Sequence, residues 1–288
     1  MKILILGAKG MLGCDLLRQL AGSHQATGLD SAECDIASLE DCRRAVAEYA
    51  PDVVVDAAAY TDVDGCETKR EACFAVNAEG VKNIALACRG TGALVVHFST
   101  DYVFDGSADA PYLEDDTPAP INVYGSSKLQ GERYLEEFAD RWLLIRTSWL
   151  YGPCGRNFVK AILAKAETVS ILEVVNDQIG SPTFTRDFAS AAGVLIEGKK
   201  TGVYHLTNRG QCSWYEFACK ILKCVGKTDV VVRPISSDML KRAASRPSWS
   251  VLSTDKFTKD TGREMRHWEV ALRDYLTQTG ALKAGMTD

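Results

Sequence analysis

Lys2-Ile3-Leu4-Ile5-Leu6-Gly7-Ala8-Lys9-Gly10-Met11-Leu12-Gly13 decides the fold. Residues 2–6 form a short apolar run that Gly7 ends, the mark of a buried strand. Met11–Leu20 then carries Leu12, Leu16, Leu17 and Leu20 on one helical stripe. Working outward, strand and helix signals alternate: strands at Ala26–Asp30, Asp52–Ala59, Ala93–Ser99 and Trp142–Thr147, helices at Ser38–Tyr49, Lys69–Arg89 and Asn122–Phe138. Ser38 is the expected N-cap of its helix, with Asp41 completing an acidic capping box. Strands separated by helices need crossovers, and continuous apolar strands need cover on both faces. The expected fold is therefore α/β, a Rossmann-type doubly wound parallel sheet spanning residues 1–150 as a dinucleotide-binding domain.

Beyond residue 150 the rhythm changes. Helices are expected at Asn157–Lys165, Thr185–Ile196, Ser213–Val225 and His267–Leu276, and strands at Ile171–Gln178, Gly202–Thr207 and Val230–Ile235. Ser213 and Glu216 have capping-box spacing. Residues 151–288 read mostly as a smaller mixed substrate lobe, with the helix near 185–197 packing back on the first domain. The tail Thr279–Asp288 is expected to fray.

Composition narrows the function. The 288 residues are 46% hydrophobic and 25% charged, ordinary for a globular protein and wrong for a disordered chain. The net charge of −5 supplies no basic surface for nucleic acid. No apolar run reaches the roughly 18 residues of a membrane span, and the opening apolar run is too short for a signal segment. Ten cysteines without a Cys-x-x-Cys, and four histidines without a ligand pair among them, point to reduced, packed thiols in the cytoplasm and to no metal.

The glycines at 7, 10 and 13 open a helix directly after a strand. That context suits a dinucleotide: the backbone turns tightly, approaches the pyrophosphate and packs helix on strand, while the helix N-terminus offers free N–H groups. Gly7, Gly10, Met11, Leu12 and Gly13 are the expected cofactor loop. Asp30 closes the second strand and is placed to accept hydrogen bonds from an adenosine ribose, which favours NADH over NADPH. Asp35 and Ile36 are expected to border the adenine.

Tyr124-Gly125-Ser126-Ser127-Lys128 is Tyr-x-x-x-Lys, which sets both side chains on one helix face. A lysine ammonium nearby lowers a phenol's pKa, so Tyr124 reads as general acid or base with Lys128 as its tuner. Ser99-Thr100-Asp101 leaves the C-terminal end of a strand, the edge that faces the ligand crevice. A hydroxyl there, Thr100 in preference to Ser99, is expected to bond a substrate carbonyl or the Tyr124 phenol.

Glycine loop, strand-end hydroxyl and Tyr-x-x-x-Lys, in that order, resemble the extended short-chain dehydrogenase/reductases. Further strings narrow the resemblance: A-A-A-Y-T-D-V-D at 57–64, S-T-D-Y-V-F-D-G at 99–106, R-T-S-W-L-Y-G at 146–152, D-Q-I-G-S-P-T at 177–183, Y-H-L-T-N at 204–208, S-W-Y-E-F at 213–217 and R-P-S-W-S-V-L-S at 246–253. Together they are similar to the dTDP-4-dehydrorhamnose reductases over nearly the whole chain. The resemblance implies hydride transfer from NADPH or NADH to the C4 ketone of dTDP-4-dehydro-β-L-rhamnose, the last step of dTDP-rhamnose synthesis for polysaccharides. It matches Thr100, Tyr124 and Lys128 to catalytic positions, with Lys128 also on the nicotinamide ribose. It places Ala57, Ala58 and Ala59 along the cofactor, and Thr61, Val63, Tyr102 and Trp149 around the sugar. Asn157 and Arg246 are added for the pyrophosphate, because an anion needs such donors. Some family members dimerise through Mg2+ held by acidic residues. Asp15 is one candidate ligand, but no acidic partner set accompanies it, so a homodimer stays open and no metal is expected.

Three rivals remain at this level. A dehydratase of the superfamily needs Thr-Asp-Glu, whereas Tyr102 follows Thr100-Asp101 here. A 4-epimerase, or another nucleotide-sugar reductase, shares the loop and the Tyr-x-x-x-Lys. A non-catalytic regulatory subunit of the methionine adenosyltransferase type also resembles this family.

Overall fold

The computed structural model describes residues 1–282. Six parallel strands form the main sheet: β1 (Lys2–Leu6), β2 (Gln25–Leu29), β3 (Val53–Asp56), β4 (Leu94–Thr100), β5 (Trp142–Thr147) and β6 (Gly202–His205), in the order β6-β5-β4-β3-β1-β2. β4 is buried along its whole length, as a strand covered on both faces must be. The order reverses between β1 and β3, and a crevice opens outside the C-terminal ends of such strands.

The two faces have separate cores. On one, Leu12, Leu16 and Leu20 of α1 (Met11–Ala21) pack with Phe188, Ala192, Leu195 and Ile196 of the helix Thr185–Glu197. Burying each of these leucines contributes roughly 1.5–3 kcal/mol. On the other, Leu4, Val54, Val95 and Leu144 meet Val46, Ile84 and Leu135 from flanking helices. β6, although it follows residue 150, is an edge of the main sheet and pairs with β5. The remaining C-terminal elements form short strand pairs, 150–151 with 183–184, 171–175 with 231–235, and 179–180 with 212–213. A third core of Tyr151, Phe184, Phe217, Trp268 and Tyr275 joins them.

Several local expectations need correction. Ser38 caps its helix through Asp41 N, but the Asp41 carboxylate accepts from Asp35 N rather than from the cap itself. The helix expected over 69–89 begins earlier, at Val63, breaks at Lys69 and contains a π-turn at Ala75–Glu79. Within the π-turn lies Asn77, whose side chain reaches out to the backbone N and O of Tyr60 and to Ser127 Oγ. π-Turns commonly mark such functional neighbourhoods. The strand expected over 171–178 ends at Val175. In the expected frayed tail, the amides of Thr279, Ala281 and Leu282 bond the preceding helix, while 283–288 lie outside the described residues. No helix among the described residues is long and apolar enough to cross a membrane.

Candidate functional site

A cleft of about 720 Å³ lies over the C-terminal ends of β1, β3, β4 and β5. On one side is the glycine loop. Gly7 has φ +79°, and a Cβ there would stand 2.7 Å from Ala58 N. A Cβ on Gly13 would stand 2.2 Å from Gly7 O. Neither position accepts a side chain without moving backbone. Gly10 is the N-cap of α1, with no side-chain cap and no acidic residue in the first turn. The first-turn amides of α1 therefore have neither a capping oxygen nor a competing carboxylate, which is what a pyrophosphate requires.

Facing this loop stands the helix Val123–Phe138, here α2. Its N-cap Asn122 accepts from Gly125 N at 2.7 Å and donates to Ser245 O at 2.8 Å. A Cβ on Gly125 would stand 2.1 Å from Tyr102 O. The glycine thus lets the first turn of α2 press against the turn Asp101–Val103 that follows β4. That contact brings Tyr124 beside Thr100 in the cleft, where the Thr100 hydroxyl tempers the phenol's pKa. Thr100 Oγ1 also donates to Asp101 Oδ1 at 2.9 Å and accepts from Tyr102 N at 3.2 Å.

The electrostatics differ from expectation in one respect. Burial, aided by the Asp101 carboxylate, raises the Tyr124 phenol above its ordinary range, and the Thr100 hydroxyl offsets only part of this. The Lys128 ammonium lies one helical turn along, yet its hydrogen bond runs to His97 Nε2 at 3.0 Å. Lys128 itself is pulled down to about 8 by burial, with Asp56 and Glu132 opposing. Equal spacing on a helix face brings the two residues to one cleft but does not aim their tips at each other. Asp101, fully enclosed, has its carboxyl pushed up to about 7 by burial.

The cleft gathers most of the expected residues: Gly10, Met11, Leu12, Ala57, Ala58, Ala59, Thr61, Val63, Thr100, Tyr102, Tyr124, Lys128 and Trp149 all line it. Others lie elsewhere. Asp30 sits beside the glycine loop, with its amide on Glu33 and Lys9 Nζ 4.0 Å from both carboxylates. Ile36 is buried against Gly80, and Asp35 accepts from Ala37 N. Asn157 caps the helix Phe158–Ala166 and donates to Gly152 O, so its amide serves the backbone. Arg246 directs both guanidinium nitrogens to Asp64, at 3.1 and 2.7 Å. Asp15 is buried and shared between Arg18 and Thr185, which ties α1 to the helix Thr185–Glu197.

Sequence reading missed His97, Asp56, Asp101 and Trp214. Trp214 stacks on Trp149 with ring centroids 3.5 Å apart and planes at 6°. Trp149 holds a left-handed φ of +48°, and a Cβ on Gly180 would stand 2.5 Å from its ring. Asp56 and His97 had a signal that went unused, as ionisable residues inside otherwise apolar strands.

A family model described as RmlD substrate binding domain matches residues 1–280. The chain belongs to that family. Among its relatives, the spore coat polysaccharide biosynthesis protein SpsK of Bacillus subtilis is 40% identical, over 96% of this chain and 97% of that one. A dTDP-4-dehydrorhamnose reductase of Burkholderia thailandensis is 39% identical, over 96% of this chain and all of its own. The crystal structure of the Bacillus anthracis dTDP-4-dehydrorhamnose reductase in complex with NADP superposes with a TM-score of 0.93 at 37% identity, covering 96% of this chain and 99% of that one. Membership of the RmlD family agrees with the doubly wound sheet.

Proposed function

We propose that this protein reduces the C4 ketone of dTDP-4-dehydro-β-L-rhamnose to dTDP-L-rhamnose. The observation that carries the reading is the convergence of Thr100, Tyr124 and Lys128 in one cleft with an uncapped glycine-rich helix start. Residues 7–13 and Ala57–Ala59 fit a dinucleotide, because Gly7, Gly10 and Gly13 bring bare backbone to the helix start and the helix amides lack a side-chain cap. When bound, reduced nicotinamide supplies the hydride.

The chain's own residues supply the proton and the alignment. Burial keeps the Tyr124 phenol protonated at neutral pH, so it holds a proton to give the developing alkoxide. The Thr100 hydroxyl lies beside that phenol and lines the same cleft, where it can bond the substrate oxygen. The Lys128 ammonium lines the same cleft, where it would hold the ribose of a bound dinucleotide. Tyr102, Trp149, Thr61 and Val63 form the wall for the sugar.

Dehydration is disfavoured because the third member of Thr100-Asp101-Tyr102 is a phenol raised further by burial, not a carboxylate base. The same reading places the chain in the cytoplasm, where thiols stay reduced.

The test mixes the protein with NADPH or NADH and the dTDP-4-keto sugar, follows reduced-nicotinamide absorbance and identifies the product by NMR. Stoichiometric oxidation with dTDP-L-rhamnose as product is expected. Cofactor binding without oxidation would transfer the weight to an epimerase or a regulatory subunit.

A further inference from the structure

Beneath the cleft, three ionisable side chains form one buried line. Asp56 ends β3 and His97 lies in β4, and the parallel register sets them side by side. Asp56 Oδ2 is 2.7 Å from His97 Nδ1, and His97 Nε2 is 3.0 Å from Lys128 Nζ. Asp56, His97 and Lys128 are each no more than 2% exposed.

The chemistry of the donors fixes the protons. An ammonium only donates, so His97 Nε2 must accept. The ring's one hydrogen is then on Nδ1 and points at the Asp56 carboxylate. Burial and the Lys128 charge both hold this imidazole neutral. Asp56 is itself anchored, since its Oδ1 accepts from Ala58 N at 3.2 Å in the strand end that lines the cleft. One of the three ammonium hydrogens of Lys128 is thereby tied down, and two remain for ligands in the cleft.

We propose that His97 is the positioning residue for Lys128: anchored on Asp56, it accepts one ammonium hydrogen and so aims the other two at the cleft. The inference rests on the catalytic role given to Lys128 above. His97 is buried beneath the cleft, does not line it, and acts through the lysine. The groups that face Lys128 are Asp56 from β3, His97 from β4, Glu132 from its own helix and Cys73 from the helix Arg70–Phe74. Glu132 is committed to a buried bidentate pair with Arg146, which leaves the His97–Asp56 line as the tunable partner.

Two substitutions separate the two ends of the imidazole. His97→Asn keeps a donor near Asp56 but has no atom that reaches Lys128. His97→Gln places an acceptor near Lys128 but gives up the Asp56 anchor. A hydrogen bond to the charged form favours it, so losing the acceptor lowers the lysine pKa. His97→Asn is expected to lower kcat by about tenfold or more and to move the alkaline limb of the kcat–pH profile to lower pH by about half a unit or more. His97→Gln is expected to return the limb toward the wild-type position. An unmoved limb in His97→Asn, or an equal loss in both variants with no change of limb, overturns the proposal, because a purely structural histidine would behave so.

A second measurement uses the unaltered protein with 15N-labelled histidine, in which only four imidazoles report. His97 is expected as the neutral Nδ1–H tautomer, with its Nε2 resonance shifting as Lys128 titrates. An Nε2–H tautomer, or a flat Nε2 resonance, also overturns it. If the wild-type protein does not oxidise reduced nicotinamide with the sugar, the proposed function fails while the NMR result still decides the His97–Lys128 contact.

Discussion

Trp149 and Trp214 lie flat against each other, ring centroids 3.5 Å apart with planes at 6°, and both line the cleft. Trp149 comes from the chain just after β5 and Trp214 from the first turn of the helix Trp214–Val225. The pair therefore joins the sheet to the C-terminal lobe across the wall assigned to the sugar. Stacked aromatic pairs contribute about 0.5–1.5 kcal/mol beyond the area they bury. Trp214→Ala should raise KM for the sugar nucleotide by about three- to tenfold, that energy converted to affinity, with a smaller change in kcat. Steady-state kinetics at saturating cofactor checks this, and an unchanged KM would remove Trp214 from the site.

Tyr124→Phe deletes the proton donor and leaves the ring that packs edge to face on Tyr102. The expected loss in kcat is about 10²–10⁴, with cofactor affinity close to wild type by fluorescence titration. Turnover within a few-fold of wild type would show that another group delivers the proton.

Cofactor preference turns on a mixed charge cluster. Asp30 and Glu33 repel a 2′-phosphate, while Lys9, 4.0 Å from both carboxylates and largely exposed, attracts one. One such charge near the surface is worth about tenfold. Asp30→Ala should shift the ratio of kcat/KM toward NADPH by that order, and Lys9→Ala should shift it toward NADH. Equal ratios in all three proteins would place cofactor discrimination elsewhere.

Asp101 links pH to stability. Its carboxyl is raised to about 7 in the folded protein by burial, against about 3.9 in an unfolded chain. Between these values the folded state keeps a proton that the unfolded state releases. The group's contribution to stability therefore falls as pH rises from about 4 to about 7. Asp101→Asn removes that dependence. Urea unfolding at about pH 5 and about pH 8 should show the variant losing less stability than wild type on the alkaline side, by up to a few kcal/mol at about 1.4 kcal/mol per pKa unit. Parallel pH dependences in the two proteins would mean that Asp101 titrates normally.

The glycine loop was readable because its demands are local. A positive φ at Gly7 and the close approach at Gly13 follow from a strand turning directly into a helix. The β4 turn and the Tyr-x-x-x-Lys helix were readable for the same reason. The π-turn at Ala75–Glu79 was not; its Asn77 reaches backbone of Tyr60 and a hydroxyl on α2, contacts outside its own helix. Nor was the commitment of Arg246 to Asp64, residues 182 positions apart.

By itself, the sequence determined the alternation of strand and helix, the glycine loop at the head of α1 and the order of Thr100, Tyr124 and Lys128. Those properties are set by hydrophobic period, turn chemistry and spacing within single elements. Only the tertiary structure decided that β6 joins β5 in the main sheet, that Trp214 covers Trp149, and that Lys128 meets His97 and through it Asp56. Those contacts depend on the register between parallel strands, which is fixed by burying whole sheet faces rather than by any one residue's neighbours along the chain.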